Sequence, residues 1–233
     1  MRINKFIANN SDYSRRKVDE LIIIGKVFIN GEKAKQGDLV QPEKDRIEID
    51  NRIIEYREEK TYLMLNKPAG YITTRNDEYN RRTVMDLIPQ DKNLKPVGRL
   101  DKDTEGLLLF SNDGEFINRL THPRYECEKE YFAVIYGELS QADQNKLEKG
   151  IIVEEKRTSP AKIWIEKIEN GETELRITIH EGRKRQIRKM FACLNHDVKY
   201  LLRLRVGKLE LGSLPQGQYK IIAKKDLHAY KLD

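Results

Sequence analysis

Two cysteines in 233 residues, Cys127 and Cys193, lie far apart and form no CxxC pair. That excludes a disulfide framework and points to a reducing cytoplasm. The four histidines, His122, His180, His196 and His228, are scattered without ligand spacing, so no zinc site is expected. No apolar run approaches the roughly 20 residues that span a bilayer. The N-terminal MRINKFIANNSDY lacks the apolar stretch of a signal peptide. Internal repeats and low-complexity segments are also missing. The expectation is a soluble cytoplasmic protein with no membrane attachment.

Charged residues make up 35% of the chain and hydrophobic ones 38%, enough for both solubility and a core. Lys and Arg exceed Asp and Glu by 44 − 38 = 6. That excess is mild, and its clustering says more than its size. The length allows one large domain or a small one joined to a medium one.

Residues 1–58 read as the small unit. Ile3, Phe6 and Ile7 form a short helical stripe, and Ser14 is placed to cap a second helix. Val18, Leu21 and Ile22 recur at helical spacing before Gly25 stops it. Residues 26–29 and 46–50 read as strands, with Asn30-Gly31 a tight hairpin turn. Arg15, Arg16 and Lys17 fall in the first turn of the second helix, where cations oppose the macrodipole. Either a phosphate backbone favours them or the helix start is simply solvated. The order of helix, SRRKVDELI helix and GKVFING hairpin resembles the alpha-L RNA-binding module found in a ribosomal protein and in several RNA-modifying enzymes. The resemblance implies RNA binding through the second helix and hairpin. Residues 51–60 look like the link to the rest.

The second part, 59–233, opens with Tyr62 to Leu65 running into the Pro68-Ala69-Gly70 turn. Strands are expected at 107–110, 131–136, 161–166 and 175–179, and helices at 83–88, 115–120 and 141–149. They do not alternate regularly, so the fold class expected is α+β with a mixed or antiparallel sheet.

A second basic cluster follows the 175–179 strand. Arg183, Lys184, Arg185, Arg188 and Lys189 are cationic, and Ile187, Phe191 and Leu194 imply a helix beginning near Lys184. Cations again crowd a helix start, which favours a polyanion site over a solvated face. Further on, a strand over 199–208 would present Leu201, Leu204 and Val206 to the core and Arg203 and Arg205 to phosphates.

In KPVGRLDKDTEGLLLFSNDGEF, Lys95 to Phe116, a cluster of charges leads into the apolar run Leu107 to Phe110. Asp101, Asp103 and Glu105 echo the start of a calcium-binding loop, but Asn112 stands where that loop needs a bidentate Glu. Asp103 and Glu105 suit solvated surface acids. Asp101 follows Gly98-Arg99-Leu100, and a carboxylate beside a cation stays ionised and available as a nucleophile.

This stretch, with KEYFAVIYG and EGRKRQIRKMF following in order, resembles the signatures of the RsuA/RluB-type pseudouridine synthases. The resemblance implies isomerisation of a uridine in ribosomal RNA, or in a ribosome-assembly intermediate, without metal or cofactor; a monomer is expected. Asp101 matches the family's essential aspartate, and three roles are open to it: attack at C1′, attack at C6, or removal of a C2′ proton. The resemblance makes Arg99 the residue that helps extrude the uridine. Tyr131 packs against the flipped base, Ile187 walls its pocket, and Arg188 pairs with the aspartate. The basic clusters supply the expected RNA contacts: Arg15, Arg16, Lys17, Arg183, Lys184, Arg185, Lys189, Arg203 and Arg205. The stretch LLRLRVGKLELGSLPQGQY looks more like the large-subunit branch than the small-subunit branch. The rivals are an RNA-binding protein without activity and a glycosidic hydrolase, which would need a second carboxylate.

Overall fold

Seven strands in the order Lys162–Glu169, Glu172–Ile179, Lys129–Tyr136, Val198–Val206, Glu105–Ser111, Tyr62–Lys67 and Tyr219–Ile222 build the path of a large twisted sheet. Two short strands, Lys95–Val97 and Leu209–Glu210, attach to it off this path. The computed structural model from which these elements are taken describes residues 1–56, 59–89 and 93–229. Neighbours on the path are antiparallel except Val198–Val206 and Glu105–Ser111, which run parallel. The fold is therefore α+β with a mixed sheet. No helix among the described residues is long and apolar enough to cross a membrane.

The chain divides into two compact units. Met1–Thr61, together with residues 93–94 and Asn112–Gly114, forms the first. In it, helices Ile3–Asn10 and Arg15–Ile23 pack Ile3, Phe6, Ile7, Val18, Leu21 and Ile22 against Val27, Ile47 and Ile49. Ser14 caps the second helix by accepting from the Lys17 amide at 3.1 Å. Asn30 and Gly31 both take positive φ, as the hairpin turn requires. The expected link over 51–60 is partly structured instead: Arg52–Ile53 is a strand paired with Ile47–Ile49. Residues 57 and 58 of that link lie outside the described residues.

In the second unit the strand expected over 107–110 is Glu105–Ser111, and Leu107 to Phe110 are all but completely buried. Helices Gly114–Thr121 and Gln141–Glu148 stand where the apolar spacing puts them. The segment expected as a helix over 83–88 is only a 3-10 turn, Val84–Leu87. Thr83 and Asp86 cap it reciprocally, which favours a helix start, but the chain leaves the turn in extended conformation at Ile88. The second cationic helix runs Gln186–Ala192, after Arg185 adopts φ 53. Arg183, Lys184 and Arg185 therefore precede the helix rather than occupying its first turn, and only Arg188 and Lys189 lie within it.

The parallel junction depends on Gly106. It pairs with Arg203, has φ 98, and a Cβ there would overlap the Arg203 carbonyl oxygen and lie 2.7 Å from its amide nitrogen. Gly106→Ala is thus expected to cost about 2–4 kcal/mol of stability, through backbone strain added to a steric clash. Gly182→Ala meets nothing within 4 Å and should change stability by less than about 0.5 kcal/mol. Urea unfolding of both variants measures the contrast, and equal midpoints would contradict it.

Candidate active site

The loop after the Lys95–Val97 strand is pinned before any functional group is considered. Thr73 Oγ1 donates to the Leu100 carbonyl at 2.8 Å and accepts from the Leu100 amide at 3.2 Å. Gly70 N–H donates to the Lys102 carbonyl at 2.8 Å, and Thr104 N–H closes a turn onto the Asp101 carbonyl at 3.1 Å. Beneath this turn lies Lys67, fully buried at the end of its strand. Its ammonium donates to the carbonyls of Thr104 at 2.8 Å, Pro68 at 3.0 Å and Lys102 at 3.3 Å. Burial pulls its pKa down to about 8, although Glu105, Asp103 and Asp101 favour the charged form. All three donors of the ammonium are thus used, two of them on the segment carrying Asp101.

Asp101, half-buried, lines a cleft of about 530 Å³. It is the one carboxylate among the lining residues, which include Arg99, Arg183, Lys184, Arg185 and Arg188. Tyr131, 7% exposed, Ile187, 4% exposed, and Leu201 supply apolar wall. The structure thus brings together all five residues expected at the substrate: Arg99, Asp101, Tyr131, Ile187 and Arg188. Arg99 is exposed at the rim, and among the described residues no hydrogen bond or ion pair engages its side chain.

One expected contact is absent. Arg188 makes no hydrogen bond or ion pair with Asp101 among the described residues. Its guanidinium donates to the carbonyls of Val198 at 2.8 Å and Asp103 at 3.2 Å, and pairs with the Asp103 carboxylate at 3.3 Å. Arg185 adds a two-pronged contact to the same carboxylate, at 3.0 and 3.3 Å. Burial opposes ionisation of Asp103, but the Arg185 hydrogen bond and the Arg188 charge outweigh it and hold the carboxyl below its usual range. Asp103 is therefore not an idle surface acid. Nor is Glu105, which accepts from Tyr200 Oη at 2.8 Å; burial, reinforced by this carboxylate, drives that phenol up to about 12.

The remaining basic residues divide by partner. Arg15, Arg16 and Lys17 are exposed on the first unit's second helix, with Arg15 on Asn4 and Lys17 on Glu20. Arg183 bridges the carbonyls of Lys156 and Arg157, and Lys189 pairs with Glu154. Arg205 is held by Glu128 and Glu130, and so is committed within the protein. Arg203 does not face solvent as its alternation suggested. It is 3% exposed, on the buried side with Leu201, and a bulge separates it from Arg205.

Sequence reasoning passed over Lys67. Its signal was available: Tyr62 to Leu65 show no polar alternation, so the Asn66-Lys67 pair ends a strand buried on both faces.

Residues 61–193 match the family model described as RNA pseudouridylate synthase, and residues 1–47 match the S4 domain. An RNA pseudouridine synthase of Aquifex aeolicus (strain VF5) is 38% identical, over 97% of this chain and 92% of that one. The ribosomal large subunit pseudouridine synthase B of Bacillus subtilis (strain 168) is 42% identical, over 93% and 89%. The ribosomal small subunit pseudouridine synthase A of Haemophilus influenzae (strain ATCC 51907 / DSM 11121 / KW20 / Rd) is 34% identical, over 97% and 98%. A crystal structure of a pseudouridylate synthase superposes with a TM-score of 0.70 at 31% identity, covering 99% of both chains. With over half its length inside the family model and such relatives along nearly all of it, this chain belongs to the RNA pseudouridylate synthase family and carries an S4 domain ahead of the synthase domain.

Proposed function

We propose that this chain isomerises a uridine of ribosomal RNA to pseudouridine, that Asp101 initiates the reaction, and that the substrate is large-subunit RNA. The observation that carries the reading is a cleft with one lining carboxylate, Asp101, among several cations. The cations match a polyanionic substrate, and a lone carboxylate suits a reaction needing one acid rather than the two of a glycosidic hydrolase. Residues 1–58 are the RNA-binding module and 59–233 the catalytic domain. The protein works as a cytoplasmic monomer on ribosomal RNA or an assembly intermediate. Large-subunit RNA is favoured because the large-subunit synthase of Bacillus subtilis is 42% identical and the small-subunit synthase of Haemophilus influenzae 34%.

The chemistry balances within one nucleotide. The N1–C1′ bond breaks, the uracil rotates, C5 bonds to C1′, C5 loses a proton and N1 gains one. Reaching C1′ or C6 inside a structured RNA requires the nucleotide to leave its stack. Arg99, unengaged at the rim, is the side chain free to fill the gap. Tyr131 packs on the extruded base against Ile187 and is the partner for the C5 proton. Asp101 acts at C1′, at C6 or on the C2′ proton. Each role requires its carboxylate ionised and correctly aimed, which is the task of the Lys67 turn. Arg188 is placed on Asp103, with the Asp101 carboxylate close enough to add to the field that favours the guanidinium charge.

Asp101→Asn should keep the fold, since the amide is nearly isosteric, and lose pseudouridine formation entirely. RNA affinity should be unchanged or slightly higher, because a negative charge leaves a cationic cleft. Asp103→Asn removes the same charge two residues away and should keep activity within about tenfold of wild type. Single-turnover pseudouridine formation and RNA binding, measured on ribosomal RNA transcripts, decide the assignment. An active Asp101→Asn protein, or an inactive Asp103→Asn one alone, overturns it.

Lys67 gives a pH prediction. Above pH 8 its ammonium loses a proton, and two N–H donors remain for three carbonyls. The single-turnover rate should fall across pH 8–9 as the Asp101 turn loosens. Stability should move the other way. With its folded pKa near 8 and an unfolded value of 10.5, the folded state binds fewer protons than the unfolded state between these limits. This group's contribution to stability therefore grows with pH there. A rate that is flat through pH 9 contradicts the role given to Lys67.

A further inference from the structure

Beside the Asp101 cleft lies a smaller recess of about 140 Å³. It shares Gly98, Arg99, Tyr131 and Gly182 with the cleft, so Tyr131 and Arg99 stand between the two. Its wall also includes Lys129 and Arg203. Lys129 lies two residues before Tyr131 on one strand, and Arg203 pairs with Tyr131 across the next, so the register places these three together.

The charge balance of this recess is unusual. Arg203 is 3% exposed, its Nε donates to the Leu107 carbonyl at 2.7 Å, and its Nη2 is buried without a partner. Among the described residues no carboxylate lies within ion-pair distance of Arg203. Lys129, half-buried, contacts only the Cys127 carbonyl, at 2.9 Å, and likewise has no acidic partner. Burial, with the Arg203 charge, holds Lys129 below the usual lysine range. Glu181, the one acid on the recess wall, is used elsewhere: its carboxylate accepts from Ser159 N–H and pairs with Arg183. Exposed cations need no counter-ion, but a buried guanidinium without a carboxylate is strongly disfavoured unless the working state supplies an anion. The parallel junction at Gly106 keeps it there, because the Arg203 backbone packs directly on that glycine.

We propose that this recess is a phosphate subsite, in which Arg203 and Lys129 receive the phosphodiester next to the extruded uridine while its base occupies the Asp101 cleft. The inference rests on the RNA-modifying reading and adds a ligand position to it. At about 140 Å³ the recess falls well below the roughly 300 Å³ of small-molecule pockets, which suits one polar group better than a base. Guanidinium and ammonium groups are the donors that phosphate oxygens take. Opening directly beside Tyr131, the recess is within reach of the same strand of RNA. Holding that phosphate fixes the sugar against Asp101, so Arg203 and Lys129 serve as positioning and binding residues.

The test uses the full chain and a synthetic stem-loop bearing a uridine that the wild-type protein isomerises in ribosomal RNA transcripts. Three further stem-loops each carry one neutral methylphosphonate: 5′ of the uridine, 3′ of it, or four nucleotides away. For wild type, one of the two adjacent substitutions should lower single-turnover kcat/KM by about tenfold to a hundredfold, the loss of a charge-assisted contact. The distant one should cost less than about twofold. Lys129→Gln should lose a similar factor on the unmodified stem-loop and lose little more on the sensitive methylphosphonate. Arg203→Gln, checked for folding by thermal denaturation, should behave in the same way; Lys129→Gln and wild type decide the matter if it does not fold. Equal sensitivity at all three linkages, or losses that multiply between Lys129→Gln and the adjacent methylphosphonates, overturns the subsite. Failure of wild type to isomerise any transcript overturns the functional reading itself, a separate outcome.

Discussion

Lys67 carries an ammonium group into the fully buried end of a central strand, and the site's geometry follows from how that charge is satisfied. Water is excluded there, so its solvation must come from the three carbonyls of Pro68, Lys102 and Thr104. Two of these belong to the turn bearing Asp101, 35 and 37 positions along the chain. The carbonyls are satisfied only if the turn keeps its shape, and the ammonium is tolerable only if they stay in place. Thr73 ties down Leu100 before Asp101, and Gly70 the Lys102 carbonyl after it. Asp101 thereby stands on a rigid support although it lies in a loop.

Around that support the acids and bases are sorted by partner. Asp103 and Glu105 are engaged by Arg185, Arg188 and Tyr200, while Asp101 alone faces the cleft. Asp103 also draws Arg188 toward itself, so the arginine expected on Asp101 is held by a neighbouring carboxylate. The cations that remain on the rim and in the adjoining recess match a chain of phosphates. Under the proposed function this division leaves one carboxylate for chemistry, with positive charge around it for binding.

Much of this was legible because it is local. Ser14 before a helical stripe, Asn30-Gly31 between short strands and the apolar run Leu107 to Phe110 each declare a structure within a few residues. Asp101 was singled out by its immediate neighbours. What sequence reasoning misjudged depends on contacts far along the chain. Lys67 looks like any lysine before a proline turn until pairing with Gly106 buries it. Arg203 is expected on the solvent face with Arg205, yet it stands two residues from Leu201 on the buried face, and the bulge that follows separates it from Arg205. Asp101 and Asp103 are the same residue two positions apart, and the two arginines brought in from the 180s distinguish them.

The central claim is that one carboxylate on a Lys67-braced turn converts uridine to pseudouridine in large-subunit RNA. It is tested most directly in cells lacking the gene, complemented with either wild type or Asp101→Asn, by mapping pseudouridine across both ribosomal RNAs. The account predicts that a large-subunit position loses its pseudouridine on deletion, regains it with wild type and fails to regain it with Asp101→Asn at equal protein level. An unchanged pseudouridine map, or restoration by Asp101→Asn, would contradict it.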